Sequence, residues 1–242
     1  MATETEQQRY PRVTEFVARA VAVLGNRLGS AVLFGSAAEE RLRPVSDVNL
    51  LLVLREWHRT ELDQLREPLR TMRAAIDLQV MLVLEAELPQ VVEAFAVKFA
   101  DIAARHRILH GDDLGARLRP SQAALRARTR YELLNLTLRL RERYVSLSLR
   151  EEQSERALAR FAGGLRACAA AVLALQGAPA SSGREALELL ARQFGPAFVE
   201  AVTALSKARE HRPLSAQAAS DALLALGELA RRSVELLEEP AP

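Results

Sequence analysis

An acid and an amide, Asp47 and Asn49, open an otherwise apolar run that reads "SDVNLLLVL". Side chains alternate along a strand, so these two oxygen-bearing groups would point to the same side of it. Magnesium in proteins prefers oxygen ligands, commonly one or two carboxylates together with the phosphates of a nucleotide. The pattern is therefore typical of a site for a hard divalent cation. The alternative is that "SDVN" only forms a turn that leads into a core strand.

A Gly-Ser turn lies upstream of this run. Gly35 and Ser36 follow the apolar segment "SAVLF" and open the segment "SAAEERL", which is predicted as a short helix. Glycine lets a phosphate approach the backbone, serine offers a hydroxyl, and a helix N-terminus favours an anion. Asp77, near the start of a third apolar run, would supply a further oxygen if the two strands are neighbours. A cation held in this way can orient a nucleoside triphosphate for in-line attack on phosphorus.

The order and separation of "LFGS" and "SDVNLLLVL" resemble the nucleotidyltransferase superfamily related to DNA polymerase beta, which includes aminoglycoside-type and minimal members. The resemblance covers residues 10 to 118. It implies that Gly35 and Ser36 contact the triphosphate, that Asp47 and Asn49 hold magnesium, and that Asp77 is a third acid, which binds metal and helps to activate an acceptor hydroxyl. It also implies a nucleoside triphosphate as substrate and a hydroxyl acceptor, expected to be a small molecule.

The sequence departs from that family pattern at two places. Position 49 carries an amide, where active members carry an acid. Glu39 and Glu40 stand where many relatives place basic residues and a glycine, although Arg41 and Arg43 could compensate. Three functions therefore stay open: a nucleotidyltransferase, a nucleotide-binding protein that has lost turnover, and an interaction protein whose helical part forms a homodimer.

Hydrophobic periodicity predicts an α+β fold. The expectation is a mixed sheet with flanking helices over residues 1–118, followed by an all-α helical bundle over residues 119–242. Alternation of apolar residues predicts strands over 30–34, 47–54 and 75–84. Spacing of three and four predicts helices over 13–29, 60–74 and 89–109, and only helices after Pro120.

Composition excludes some classes of protein. Of the 242 residues, 49% are hydrophobic and 26% are charged, and the net charge is +2, which argues against disorder and against a global nucleic-acid signature. The single cysteine, Cys168, lies in an apolar helical run and is predicted to be buried and unreactive. The polar N-terminus and the lack of a run of about 20 apolar residues predict a cytoplasmic protein with no membrane partner.

Other residues invite a functional interpretation. His106 and His110, followed by Asp112 and Asp113, could suggest zinc, but a zinc site needs three or four ligands at suitable geometry. Interaction of a histidine with the end of a helix is the favoured interpretation. Trp57 could close the mouth of a nucleotide site or cap the sheet, and the second is favoured.

Overall fold

The computed structural model describes residues 6–38, 47–146 and 151–238. The chain divides into two compact units, Met1–Pro120 and Ser121–Pro242. The described strands all lie in the first unit, and the described part of the second is helical. This architecture confirms the predicted fold class, a mixed sheet with flanking helices followed by an all-α region.

The sheet has the strand order β3-β2-β1-β4. Its strands are β1 (Leu28–Phe34), β2 (Val48–Leu54), β3 (Leu78–Leu84) and β4 (His106–Gly111). β1 is antiparallel to both of its neighbours, while β2 and β3 are parallel. The helices of this unit are α1 (Glu6–Leu24), α2 (Arg59–Gln64), α3 (Arg66–Ile76), α4 (Leu88–Ala94) and α5 (Ala96–Ala104).

Strand β2 is buried on both faces. Leu50 and Leu52 belong to the core that includes α1 and α3. Leu51 and Val53 belong to a second core that includes α4 and α5. Asn49 is the one residue of this strand that is not buried. The apolar run thus needs burial along its length, and its polar residues are confined to the end where the strand begins.

A fourth strand occupies a segment that was predicted to be helical. The helix expected to continue through residue 109 ends at Ala104, and β4 begins at His106. The segment "HRILHG" has no clear alternation of apolar residues, so its sequence carries a weak strand signal. Pairing with β1, in which Val32 faces Ile108, makes it a strand.

Two helix ends also differ from the predicted positions. α1 ends at Leu24 because Gly25 adopts a left-handed conformation with φ of 55°, so the expected stop at Gly29 lies within β1. α3 continues through Ile76, so the third strand begins at Leu78 rather than at residue 75.

The second unit is built from helices packed around one apolar core. They are α6 (Gln122–Val145), α7 (Glu151–Ala159), α8 (Ala162–Leu175), α9 (Gly183–Phe194), α10 (Pro196–Arg209) and α11 (Ala216–Glu235). Gly164 allows α8 to approach α6 closely, because a Cβ built there would lie 3.2 Å from Cδ2 of Leu136. The Ser182 hydroxyl accepts from the Glu185 amide and caps α9, and Gly195 ends that helix, as predicted.

One helical stretch in the described residues, Gln153–Leu175, is long and apolar enough to cross a membrane by length and composition alone. Half of its most apolar window is buried inside the protein. Leu165 and Val172, for example, lie in the core of the helical unit. Burial within the bundle accounts for this composition, since a core helix passes the same test.

The approach of β4 to β1 predicts a strong effect at Gly111. This residue has φ of 77°, and a Cβ added to it would lie 1.9 Å from the carbonyl oxygen of Gly29. Gly111→Ala should therefore lower the free energy of unfolding by more than about 2 kcal/mol, because both the left-handed backbone and the clash oppose alanine.

Gly25→Ala provides the matched control for Gly111→Ala. Gly25 has φ of 55°, and no atom of residues 6–38, 47–146 or 151–238 lies within 4 Å of the added Cβ, so only the backbone term of about 1 kcal/mol should remain. Urea denaturation followed by circular dichroism measures both variants. Equal losses of stability would contradict the close contact between β1 and β4.

Burial predicts that Cys168 is inert in the native protein. Desolvation and, secondarily, the charge of Glu132 raise the pKa of the Cys168 thiol to about 12, so the thiol stays protonated at pH 8. A disulfide reagent should react slowly with the native protein and quickly after denaturation. Ser146→Cys, placed at an exposed position in a Cys168→Ala background, should react quickly in the folded state. Equal rates at the two positions would show that Cys168 is accessible.

Candidate active site

Three strand ends that carry candidate residues meet at one edge of the sheet. β1 is antiparallel to β2, and Phe34, its last residue, pairs with Asn49. β3 is parallel to β2, and Gln79 pairs with Asn49 from the other side. The amide of Val48 donates to the carbonyl oxygen of Asp77 over 3.3 Å, which extends this register by one residue. Gly35, Asp47 and Asp77, which adjoin these three strands, therefore lie along the same edge.

Asn49 faces the side of the sheet covered by α4 and α5. Its neighbours Val48 and Leu50 point into the opposite core, and its cross-strand partner Phe34 lies in the core on the α5 side. Asn49 is half-buried, and Asp47 is exposed. The pair thus has an amide near the core and a carboxylate in solvent, an arrangement open to a ligand that approaches this edge.

Asp77 ends α3 rather than beginning a strand. It is left-handed, with φ of 52° and ψ of 45°, and its amide donates to the carbonyl oxygen of Arg73 over 3.1 Å. Its carboxylate Oδ1 accepts a hydrogen bond from Nε2 of Gln79 over 2.8 Å. Gln79 and Asn49 are register partners on neighbouring strands about 4.8 Å apart. The hydrogen bond between Gln79 and Asp77 therefore places the Asp77 carboxylate near Asn49. A left-handed conformation in a residue other than glycine costs about 1 to 2 kcal/mol.

Gly35 opens a 3-10 turn, Gly35–Ala37, with φ of 74°. Among the described residues, no atom lies within 4 Å of the position that a Cβ would take. Its own amide already donates to the carbonyl oxygen of Arg105 over 3.2 Å. A phosphate near this turn would therefore be bound by groups that follow Gly35.

Part of the predicted phosphate loop is outside the described residues. The side chain of Ser36 is not among those described, and neither is the segment 39–46, which contains the glutamates and arginines that depart from the family pattern. The described part of the segment predicted as a helix reaches only Ala38.

Two residues at this edge were missed by sequence reasoning. Gln79 alternates with Asp77, and this period of two could have pointed to it. Lys98 on α5 is exposed, and its Nζ lies 5.7 Å from the centre of the Phe34 ring, on the face that Asn49 shares. The scarcity of lysine was a further signal, since Lys98 and Lys207 are the only lysines in the chain. Lys98 places a positive charge on the side where a triphosphate would bind.

The donor set suits a metal bound together with a nucleotide. Within residues 6–38, 47–146 and 151–238, no group of three or more His, Cys, Asp or Glu is close enough to hold a metal. Asp47 and Asp77 offer carboxylates and Asn49 offers an amide oxygen. Magnesium commonly takes one or two carboxylates and completes its shell with phosphate and water, whereas a cage made only of protein groups needs more ligands.

Comparison with known proteins identifies a fold. No protein-family model matches the chain, and no curated sequence matches it. A crystal structure of spectinomycin adenyltransferase AAD(9) from Enterococcus faecialis, with ATP and spectinomycin, matches with a TM-score of 0.63 and 14% sequence identity. The match covers 93% of this chain and 98% of that one. The chain shares the fold of a nucleotidyltransferase.

The histidine pair of the nucleotidyltransferase-like unit does not form a zinc site in the described residues. Nδ1 of His106 lies 3.0 Å from the carbonyl oxygen of Ile102 and 3.2 Å from that of Ala103. These carbonyls belong to the last turn of α5, so the predicted interaction of a histidine with a helix end is confirmed. Nε2 of His106 lies 3.7 Å from Oδ1 of Asp113.

Trp57 lies away from the edge of the sheet that carries Asn49. It follows the C-terminal end of β2, and Leu54 at that end is about 17 Å from Asn49 along the strand. Trp57 is 58% exposed and lines an apolar cavity of about 410 Å³ with Phe16 and Leu82. These positions support the interpretation that Trp57 caps the sheet.

The conformation of Asp77 allows backbone strain to be separated from the chemistry of the carboxylate. Asp77→Gly and Asp77→Ala both remove the carboxylate and its bond to Gln79, but only glycine accepts the left-handed backbone without cost. The glycine variant should be more stable than the alanine variant by about 1 kcal/mol. Thermal denaturation measures this difference.

The same two variants should be equally impaired in binding magnesium-ATP, because both lack the carboxylate. Isothermal titration calorimetry measures that loss. If the more stable glycine variant also bound magnesium-ATP more tightly than the alanine variant, Asp77 would act only as a helix cap.

Proposed function

We propose that this protein is a magnesium-dependent nucleotidyltransferase that transfers a nucleoside monophosphate from a nucleoside triphosphate to a hydroxyl group of a small molecule. The observation that carries the proposal is the register that aligns Gly35, Asp47, Asn49 and Asp77 along one edge of the sheet. The shared fold with an adenyltransferase supports it, and that neighbour binds ATP and spectinomycin.

In this proposal the nucleotide is assigned to the unit that ends near residue 118, and residues 119–242 form a separate helical domain. Asp47, Asn49 and Asp77 would hold the metal. Gly35 and Ser36 would lie next to the triphosphate, and Lys98 would add positive charge on the side of the sheet that Asn49 faces. Magnesium, when bound, would neutralise the negative charge of the triphosphate and of the departing pyrophosphate.

The transfer step would need a proton acceptor. The oxygen of the acceptor hydroxyl would form a bond to the α-phosphorus while the bond from that phosphorus to the bridging oxygen breaks, and pyrophosphate would leave. The proton of the hydroxyl would pass to the carboxylate of Asp77. The hydrogen bond from Gln79 would orient that carboxylate, since it occupies one of the two oxygens.

A second function is favoured by the amide at position 49. Asn49 coordinates a cation without contributing charge, so the site has one negative charge fewer than a site with three carboxylates. The protein would then bind a nucleotide without turning it over. Both functions predict magnesium-dependent binding, and they differ only in whether pyrophosphate is released.

Substitutions at positions 47 and 49 test the metal site. Two unit charges about 4 Å apart interact by about 4 kcal/mol at an effective dielectric constant of 20, and desolvation and repulsion from Asp47 oppose part of this. Asn49→Asp should therefore strengthen binding of magnesium-ATP by on the order of 1 kcal/mol or more. Asp47→Asn should weaken or abolish it.

Calorimetric titration of the wild-type protein and these two variants, with and without magnesium, measures the effect. If all three titrations are flat, the edge is an inherited scaffold and the proposed function is wrong. Pyrophosphate release in the presence of hydroxyl acceptors then separates the enzyme from the nucleotide-binding protein.

A further inference from the structure

A polar groove runs between α9 and α10, far along the chain from the proposed nucleotide site. Gly195 joins the two helices tightly, and Arg184 near the start of α9 reaches Glu210 just after the end of α10, so the helices are antiparallel. The groove has a volume of about 280 Å³. Positions four residues apart on α9 and three or four apart on α10 line it. These residues are Arg184, Glu188 and Arg192 on one side and Val199, Val202, Thr203, Ser206, Lys207 and Glu210 on the other, with Arg212 beyond.

One end of the groove is closed by a set of ion pairs. Arg184 donates from Nε to Glu188 over 2.9 Å and from Nη1 to Glu210 over 3.2 Å. Arg212 approaches Glu210 at 3.7 Å. Two arginines and two glutamates give this end no net charge. Any charge that the groove offers to a ligand must therefore come from the other residues that line it.

Two positively charged side chains that line the groove have no carboxylate partner among the described residues. Arg192 and Lys207 have no ion pair or hydrogen bond from their side chains to any part of the chain that the structure describes. Lys207 is half-buried, and Arg192 is exposed. The groove thus carries two positive charges that no carboxylate of the described residues balances, and this favours an anionic ligand.

A hydroxyl that lines the same groove points to the same class of ligand. Ser206 is only 7% exposed, and it lines the groove. Among the described residues its hydroxyl has no hydrogen-bond partner, although serines in helices often donate to the carbonyl four residues earlier. The hydroxyl lies at the wall of the groove, where it can donate a hydrogen bond to an oxygen of a ligand.

We propose that this groove binds a phosphate group, with Lys207 and Arg192 balancing its charge and the Ser206 hydroxyl donating to one of its oxygens. A phosphate dianion matches the two unpaired cations, and its oxygens can accept from ammonium, guanidinium and hydroxyl donors at once. Val199 and Val202 form an apolar floor beside these donors. An organic phosphomonoester would contact this floor, whereas inorganic phosphate would use the polar groups alone.

Calorimetric titration with inorganic phosphate and with phenyl phosphate, at constant ionic strength, tests the proposal. Neither magnesium nor a nucleotide is present, so the outcome does not depend on the function proposed above. Saturable binding of both probes is expected. Tighter binding of phenyl phosphate would identify an organic phosphomonoester as the ligand, and equal binding would identify inorganic phosphate.

Single substitutions locate the site. Lys207→Met and Ser206→Ala should each weaken binding by about tenfold, since each removes a hydrogen bond to a charged group. Arg192→Met should weaken it to a smaller extent, because Arg192 is more exposed. Arg128→Met, which removes an exposed cation from α6, should leave binding unchanged.

Circular dichroism confirms that each variant is folded before the comparison. The proposal is overturned if neither probe binds saturably to the wild-type protein. It is also overturned if Lys207→Met and Ser206→Ala bind phosphate as tightly as Arg128→Met does.

Discussion

The pairing of β2 with both β1 and β3 is the interaction on which the rest of the first unit depends. A central strand that is hydrogen-bonded on both edges and covered on both faces can carry polar side chains only at its ends. Asn49 is half-buried at one such end, and Asp47 lies just outside it. The chemistry of this unit is thus placed by the requirement to bury the leucines and valines of β2.

Mixed strand directions then bring chemically different groups to that end. Because β1 is antiparallel to β2, the end of β1 and the turn at Gly35 lie beside the beginning of β2. Because β3 is parallel to β2, the beginning of β3 and the residue before it, Asp77, lie there too. An all-parallel arrangement of these strands would send the Gly35 turn to the opposite edge.

The repulsion between charged groups at this edge of the sheet depends on whether a cation is bound there. Two exposed carboxylates, those of Asp47 and Asp77, repel one another unless a cation lies between them. Because Asn49 carries a neutral amide, it adds no third negative charge to this repulsion. Lys98 contributes a positive charge nearby without an ion pair in the described residues. A site with fewer negative charges binds magnesium less strongly, and it also costs less stability when no cation is bound.

The second unit follows a different physical rule. Its helices are held by apolar packing around a single core, and close approach is allowed by small residues such as Gly164. Its charges lie at the surface, where several arginines, such as Arg184 and Arg231, form ion pairs with glutamates on the same or a neighbouring helix. Arg192 and Lys207 form no such pair with the described residues, and both lie in the groove that we assign to a phosphate group.

The sequence by itself determined the local features of this protein. Period-two and period-four spacing predicted the three main strands and the helical second half, and side chains with special backbone or capping properties predicted the Gly35 turn and the ends of α9. These signals depend on residues close together in the chain. The polar opening of β2 at Asp47 and Asn49 was visible for the same reason.

Only the tertiary structure decided which of these local features meet. β4 is a strand because β1 offers it a partner, and its own polar sequence carries little strand signal. The left-handed conformation of Asp77 depends on where α3 must end so that β3 can pair with β2. The row formed by Asn49, Gln79 and Asp77, and the position of Lys98 above Phe34, likewise depend on contacts between residues distant in sequence, whose energies no local pattern encodes.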